Sequence, residues 1–169
     1  VMFDAWIDIL QKHKDTYLWL LDEGEDMRKN ILSYVDKCID QKRVIFAERV
    51  DRGSHLARIM NIDVALDTRI YNGHTTSIEM LQCGIPLVTL EGKHFASRVS
   101  ASLLHALEIK ELIAKDINDY KEIVSTLIND NNALNSIKSK IQRQLSESKL
   151  MDTGSFARSF EDAILGVIK

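Results

Sequence analysis

Proline occurs once in these 169 residues, cysteine twice and glycine seven times. A single proline, Pro86, excludes a proline-rich linker, and so few glycines exclude a long flexible one. One domain is therefore expected, spanning residues 1–169. Cys38 and Cys83 belong to no CxxC or Cys/His cluster, so neither a disulfide framework nor a zinc site has its signature. Both thiols read as structural in a reduced, cytoplasmic setting. No apolar run reaches the ~18 residues of a membrane-spanning helix, and the opening "VMFDAWIDIL" lacks the charged head and cleavage site of a signal peptide. That opening enters an amphipathic pattern at once, so the chain is expected to be a piece of a longer protein.

Charge of one sign is also missing. The 22 Lys and Arg against 25 Asp and Glu leave a net charge of -3, with the basic residues scattered, so no nucleic-acid partner is expected. There is no GxSxG, GxxxxGK[ST] or GxGxxG, which removes a hydrolase elbow, a P-loop and a dinucleotide fingerprint. His55, His74, His94 and His105 never fall at HxxxH spacing, so no metal site is expected.

What is present is a series of short apolar runs without alternation. "DTYLWLLD", "RVIFA", "IDVALDT" and "PLVTL" read as strands buried on both faces, and "ELIA" as a short extended or helical piece. Between them lie helical patterns: Phe3, Trp6, Ile7 and Leu10, then residues 25–41, a short helix with His55, Leu56 and Ile59, residues 75–83, and residues 95–107. Residues 117–169 read as helix almost throughout, Trp6 and Trp19 as core, and residues 37–43 as a solvated helix end. The implied fold class is α/β: a Rossmann-like open parallel sheet of four or five strands, with helices on both faces and a helical C-terminal tail.

In such sheets ligands bind beyond the carboxyl ends of the strands. The segments there are "ERVDRGSHLAR", "RIYNGHTTSIE" and "EGKHFASR", each joining a glycine to hydroxyl, histidine or basic residues. In the second, Asn72 and Gly73 permit a sharp turn and a close approach of backbone to ligand. Thr75 or Thr76 stands at a helix start, where a hydroxyl caps an orphan N–H or bonds a phosphate oxygen, and His74 adds a donor. Glu79, one turn later, is placed to accept from ribose hydroxyls. Arg52 and His55 open a helix after a strand, where they read equally as nucleotide contacts or as surface residues. On these grounds alone the site is a phosphate or nucleotide site.

Residues 66–114, "LDTRIYNGHTTSIEMLQCGIPLVTLEGKHFASRVSASLLHALEIKELIA", resemble the donor-binding segment of the O-linked N-acetylglucosamine transferase family. That family includes bacterial tetratricopeptide-containing members and related O-fucosyltransferases. "YLWLL", "RVIFA", "SHLARIMNIDVALDT" and the tail "LNSIKSKIQRQLSESKLMDTGSFARSFEDA" follow in the family's order, so the likeness covers nearly the whole chain. It implies the C-terminal half of a GT-B glycosyltransferase, inverting and without a metal. The implied donor is UDP-GlcNAc, transferred to Ser or Thr of a protein acceptor. Carried over by position, His74, Thr75 and Thr76 would hold the diphosphate, Glu79 would meet the ribose, and Val50, Arg52, His55 and Arg58 would surround base and ribose. The family's phosphate-binding lysine and acceptor-side catalytic groups are expected outside residues 1–169. Family members commonly have Asp and Lys where Glu79 and Arg52 stand, so a fucosyl or other nucleotide-sugar transferase remains an alternative, as does a non-catalytic interaction domain. The last helix, residues 155–169, is expected to find no partner within the chain and to offer a route to oligomers.

Overall fold

In the computed structural model, residues 1–168 are described. Phe3, Trp6, Ile7 and Leu10 share one side of a helix, and α1 (Met2–Lys12) forms there, burying Ala5, Ile7, Ile9 and Leu10. β1 (Leu18–Leu21) then lies parallel to β2 (Val44–Ala47), with Leu18 opposite Val44 and Leu21 opposite Ala47. β3 (Ala65–Leu66), β4 (Leu87–Leu90) and β5 (Ile113–Ala114) form a second parallel ladder in that order. Among the described residues every strand pairing is parallel, as the unalternating apolar runs require.

The expected single sheet is in two pieces: among the described residues no ladder joins β1 to β3. The "IDVALDT" run supplies only two strand residues, because the chain is still turning at Ile62, whose N–H meets Ile59 O at 2.8 Å. Ala65 and Asp67 donate to Pro86 and Val88 of the β4 side, at 2.8 and 3.0 Å, which leaves only Leu66 to face β1. A cleft of about 1020 Å³ opens alongside, walled in part by Trp19, Leu20, Ile45, Val64 and Leu66.

Several helices end earlier than their periodicity suggests. α2 (Glu25–Val35) stops six residues short of the expected 41, because the Cys38 and Ile39 N–H groups fold back onto Val35 O at 2.8 and 2.9 Å. Residues 37–43 are therefore a turn and a 3-10 turn, Gln41–Arg43, and not a helix end. α3 (Arg52–Ile59) is capped by Asp51, whose carboxylate accepts the Ser54 N–H at 3.1 Å. α4 (Thr75–Gln82) ends at Gly84, which takes the left-handed φ of 75° so that its N–H and that of Ile85 reach Leu81 O and Met80 O.

The expected helix over 95–107 is split into a 3-10 turn, Phe95–Ser97, and α5 (Val99–Ala106), because Ser97 Oγ bonds both backbone groups of His94. "ELIA" is likewise a 3-10 turn running into β5. The near-continuous C-terminal helix is three: α6 (Ile117–Asn129), α7 (Asn131–Glu147) and α8 (Thr153–Ile168). Asp116 and Asp130 each accept two N–H groups as N-caps; Asp130 also closes α6, and Ser148 closes α7 and starts a 3-10 turn before α8.

Two apolar clusters result. The larger surrounds β3–β5 and includes Ile59, Leu81, Val88, Leu104, Tyr120 and Ile141. The smaller, on β1 and β2, holds Ile7, Leu10, Leu18, Val35 and Val44. α1 feeds both, through Ile9 on one side and Ile7 and Leu10 on the other. Trp6 bridges them half-buried, whereas Trp19, expected in the core, is 37% exposed on an uncovered sheet face. No residue of α8 is buried through Ile168, and Lys169 of the expected tail lies outside the described residues. No described helix is long and apolar enough to cross a membrane.

Candidate functional site

β2, β3 and β4 each deliver a loop to the same edge, and two helices begin there. α3 brings Arg52, His55 and Arg58, while α4 brings Thr75, Thr76 and Glu79. Glu79 is 8% exposed and faces α3, with Arg52 Nε at 3.3 Å from one carboxylate oxygen and His55 Nε2 at 3.9 Å from the other. His55 Nδ1 accepts from Arg58, whose Nη2 is at 3.0 Å, so the neutral imidazole directs its Nε2–H toward Glu79. Arg58 is held in turn by Glu48 O at 2.6 Å. Four of the residues singled out in the sequence thus form one network. Arg52 keeps an exposed side chain over the Glu79 carboxylate. Asp51, under this helix, is held below the usual carboxylate range by the Ser54 hydroxyl and then its N–H. Val50 is 48% exposed in the loop before α3.

The α4 N-terminus corrects one expectation. Neither Thr75 nor Thr76 caps the helix: the N-cap is His74, which makes no side-chain cap bond, and Thr75 is already the first helical residue. The N–H groups of Thr75, Thr76 and Ser77 find no acceptor among the described residues. Three free donors and the positive end of the helix dipole therefore converge beside two exposed hydroxyls. His74 is stacked on Tyr71, rings 5.1 Å apart and 4° from parallel, with Phe95 edge-on at 6.1 Å. Its Nε2 is shielded from solvent without a partner among the described residues, as is Oδ1 of the buried Asn72.

The loop feeding this helix is tied from three sides. Asn72 N–H donates to Ala96 O at 2.7 Å and Asn72 Nδ2 to Thr68 O at 2.8 Å. Gly73 N–H donates to Asp67 Oδ1 at 2.8 Å, and Ser100 Oγ donates to Gly73 O at 3.3 Å. Ser77 Oγ, one turn into α4, pairs with the same Ser100 hydroxyl at 2.9 Å. Gly73 is required by space, since a Cβ there would lie 2.4 Å from Ser77 Oγ and 2.7 Å from Thr76 Oγ1. Ile70 takes a left-handed φ of 80°, a strained setting for a β-branched side chain.

Asp67, Tyr71, Phe95 and Ser100 were not singled out in the sequence. A carboxylate closing an apolar run was the one available signal for Asp67, and nothing in the sequence marked Ser100. The large cleft beside β1 touches Asp67, Gly73, Thr76 and Ser77 but none of Arg52, His55, Arg58 or Glu79. Among the described residues no three His, Cys, Asp or Glu side chains lie together as a metal group.

Known proteins resemble the chain throughout. A UDP-N-acetylglucosamine-peptide N-acetylglucosaminyltransferase of Caenorhabditis elegans is 34% identical over 162 residues, which is 95% of this chain and 14% of that protein. A probable enzyme of the same description, SEC of Arabidopsis thaliana, is 26% identical over 94% of this chain and 16% of its own length. The solved structure of a mutant Thermobaculum terrenum O-GlcNAc transferase superposes with a TM-score of 0.89 at 32% identity, over 95% of this chain and 32% of that one. The chain thus spans under a third of each. The sequence model of glycosyl transferase family 41 matches residues 1–160, so the chain belongs to that family.

Proposed function

We propose that residues 1–169 form the donor-binding part of an inverting, metal-independent protein O-glycosyltransferase, which transfers N-acetylglucosamine from UDP-GlcNAc to Ser or Thr. The observation that carries this reading is the uncapped α4 N-terminus, with Thr75 and Thr76 exposed, next to the Arg52–Glu79–His55–Arg58 network. The free N–H groups of α4 and the two threonine hydroxyls hold the diphosphate, with His74 at its edge. Glu79 accepts from the ribose once Arg52 swings aside, and Val50, His55 and Arg58 flank ribose and base. As the sugar leaves, negative charge grows on the diphosphate, where the preorganised donors and dipole of α4 stabilise it. The acceptor hydroxyl attacks the opposite face of the sugar, organised by groups outside these residues. The C. elegans relative carries UDP-N-acetylglucosamine and peptide in its name, which supports this donor and acceptor class.

Calorimetric titration of the full-length protein with UDP, GDP and their sugars tests the reading. Preference for UDP and UDP-GlcNAc is expected; preference for GDP would move the donor to a fucosyl class, and binding of neither would end the proposal. Thr75→Ala with Thr76→Ala removes two charge-assisted hydrogen bonds and should weaken diphosphate binding roughly 100-fold or more. Because neither hydroxyl caps α4, the melting temperature should hardly move, and a double variant that mainly unfolds would assign the threonines to structure.

A further inference from the structure

We infer that Asp67 is a positioning residue: from inside the sheet its carboxylate sets the placement of residues 72–76, and thereby the affinity for a nucleoside diphosphate. The inference rests on the donor-binding reading above. Asp67 is 5% exposed at the end of β3, and both its carboxylate oxygens are taken by the protein. Oδ1 accepts the Gly73 N–H at 2.8 Å, and Oδ2 accepts the Thr89 hydroxyl of β4 at 2.6 Å.

The backbone of the same residue is pinned as well. Its N–H donates to Val88 O at 3.0 Å, and its carbonyl accepts from Tyr120 Oη of α6 at 3.2 Å. Tyr120 is fully buried, its hydroxyl accepts from Trp6 Nε1 of α1 at 3.3 Å, and burial pushes its pKa up, so it stays a protonated donor. Asp67 is thus fixed by β4, α1 and α6 and passes that placement to a single peptide group. The Gly73 peptide is grasped on its other side by Ser100, and it lies two residues before the first helical residue, Thr75.

Asp67 acts through geometry, because its charge works the other way. A carboxylate near an anion site repels a diphosphate, so by electrostatics alone neutralising it would tighten binding. As a tether it matters because a charged acceptor grips an N–H more firmly than a neutral one, and because a released Gly73 N–H would be left partnerless. Asparagine keeps one acceptor oxygen for Gly73 and offers its NH2 to a reoriented Thr89 hydroxyl, whereas alanine supplies neither.

The test is equilibrium binding of UDP and UMP to the full-length protein, with thermal melting recorded alongside. Asp67→Ala should weaken UDP at least tenfold and UMP less than threefold, and Asp67→Asn should bind both within threefold of the parent or more tightly. Equal UDP affinity in parent and Asp67→Ala would overturn the inference, as would equal losses for UDP and UMP, or Asp67→Asn falling as far as Asp67→Ala. Should Asp67→Ala fail to fold, Thr89→Val loosens the same carboxylate at near-constant volume. It should lower UDP affinity about threefold or more while sparing UMP, and unchanged UDP binding would overturn the inference. A parent protein that binds no UDP would instead refute the donor-binding reading on which the inference stands.

Discussion

Replacing Gly73 with alanine tests the packing of the phosphate loop most directly. The new Cβ would meet Ser77 Oγ at 2.4 Å, where ordinary contact begins at 3.4 Å, so one partner must yield by about 1 Å. Thr76 is exposed and can rotate, but Ser77 is 2% exposed and its hydroxyl is engaged by Ser100 at 2.9 Å. Forcing it out leaves buried hydroxyls unpaired, at ~1–3 kcal/mol, and overpacking adds ~1–3 kcal/mol. Against this, alanine stiffens the unfolded chain by ~0.4–1 kcal/mol, and Gly73 does not need the left-handed region, so no backbone strain is added. The net destabilisation is about 1–5.6 kcal/mol, or roughly 2–22 °C in melting temperature for a chain of this size. Scanning calorimetry of Gly73→Ala, Ser77→Ala and the double variant measures it. Removing the Ser77 hydroxyl removes the clash, and Ser100 keeps its bond to Gly73 O, so the double variant should recover at least ~1 kcal/mol relative to additivity. A Gly73→Ala protein that melts with the parent, or a double variant that is merely additive, would refute the reasoning.

His13 is buried against Ser125, its Nε2 2.9 Å from the Ser125 hydroxyl, and burial followed by the Lys12 charge lowers its pKa from the ordinary 6.5. The unfolded chain therefore takes up the proton first as pH falls, so the His13 contribution is complete above 6.5 and is lost as pH drops through the lowered folded value. His13→Gln should flatten melting temperature against pH across that window, and an unchanged slope would count against it. Deleting residues 153–168 should shift the melting temperature by less than ~3 °C, since α8 contributes no buried residue. Phe156, Phe160 and Leu165 are 72%, 57% and 59% exposed, so sedimentation should show self-association of the 169-residue chain with the helix and a monomer without it. The same mass in both would remove the helix from the argument.

The strands were legible because parallel strands buried on both faces leave unbroken apolar runs, as in "LVTL" and "VIFA". Helix ends were less so. The cap at Asp130 is a local event that a period of 3.6 passes over, since apolar spacing resumes in phase on the far side. The break between β1 and β3 was invisible because it depends on which edge each peptide group of a two-residue strand faces. At the site, His55 and Glu79 could be named from type and position and Arg58 only through the family resemblance, and the structure brings them together across 24 residues of chain, from 55 to 79. Ser100 could not, because a serine in an apolar helix carries no mark until its partners Gly73 and Ser77 are folded against it.

The double allegiance of α1 bears on how the molecule comes apart. Two apolar clusters on two unjoined ladders would ordinarily be free to open at separate free energies. Ile9 lies in one cluster, Ile7 and Leu10 in the other, and Trp6 bonds Tyr120 between them, so neither ladder can open fully while α1 stays seated. The first helix is thus a keystone. With it in place, amide exchange in β2 and β4 should follow one cooperative opening, and with it loosened the chain divides into two foldons.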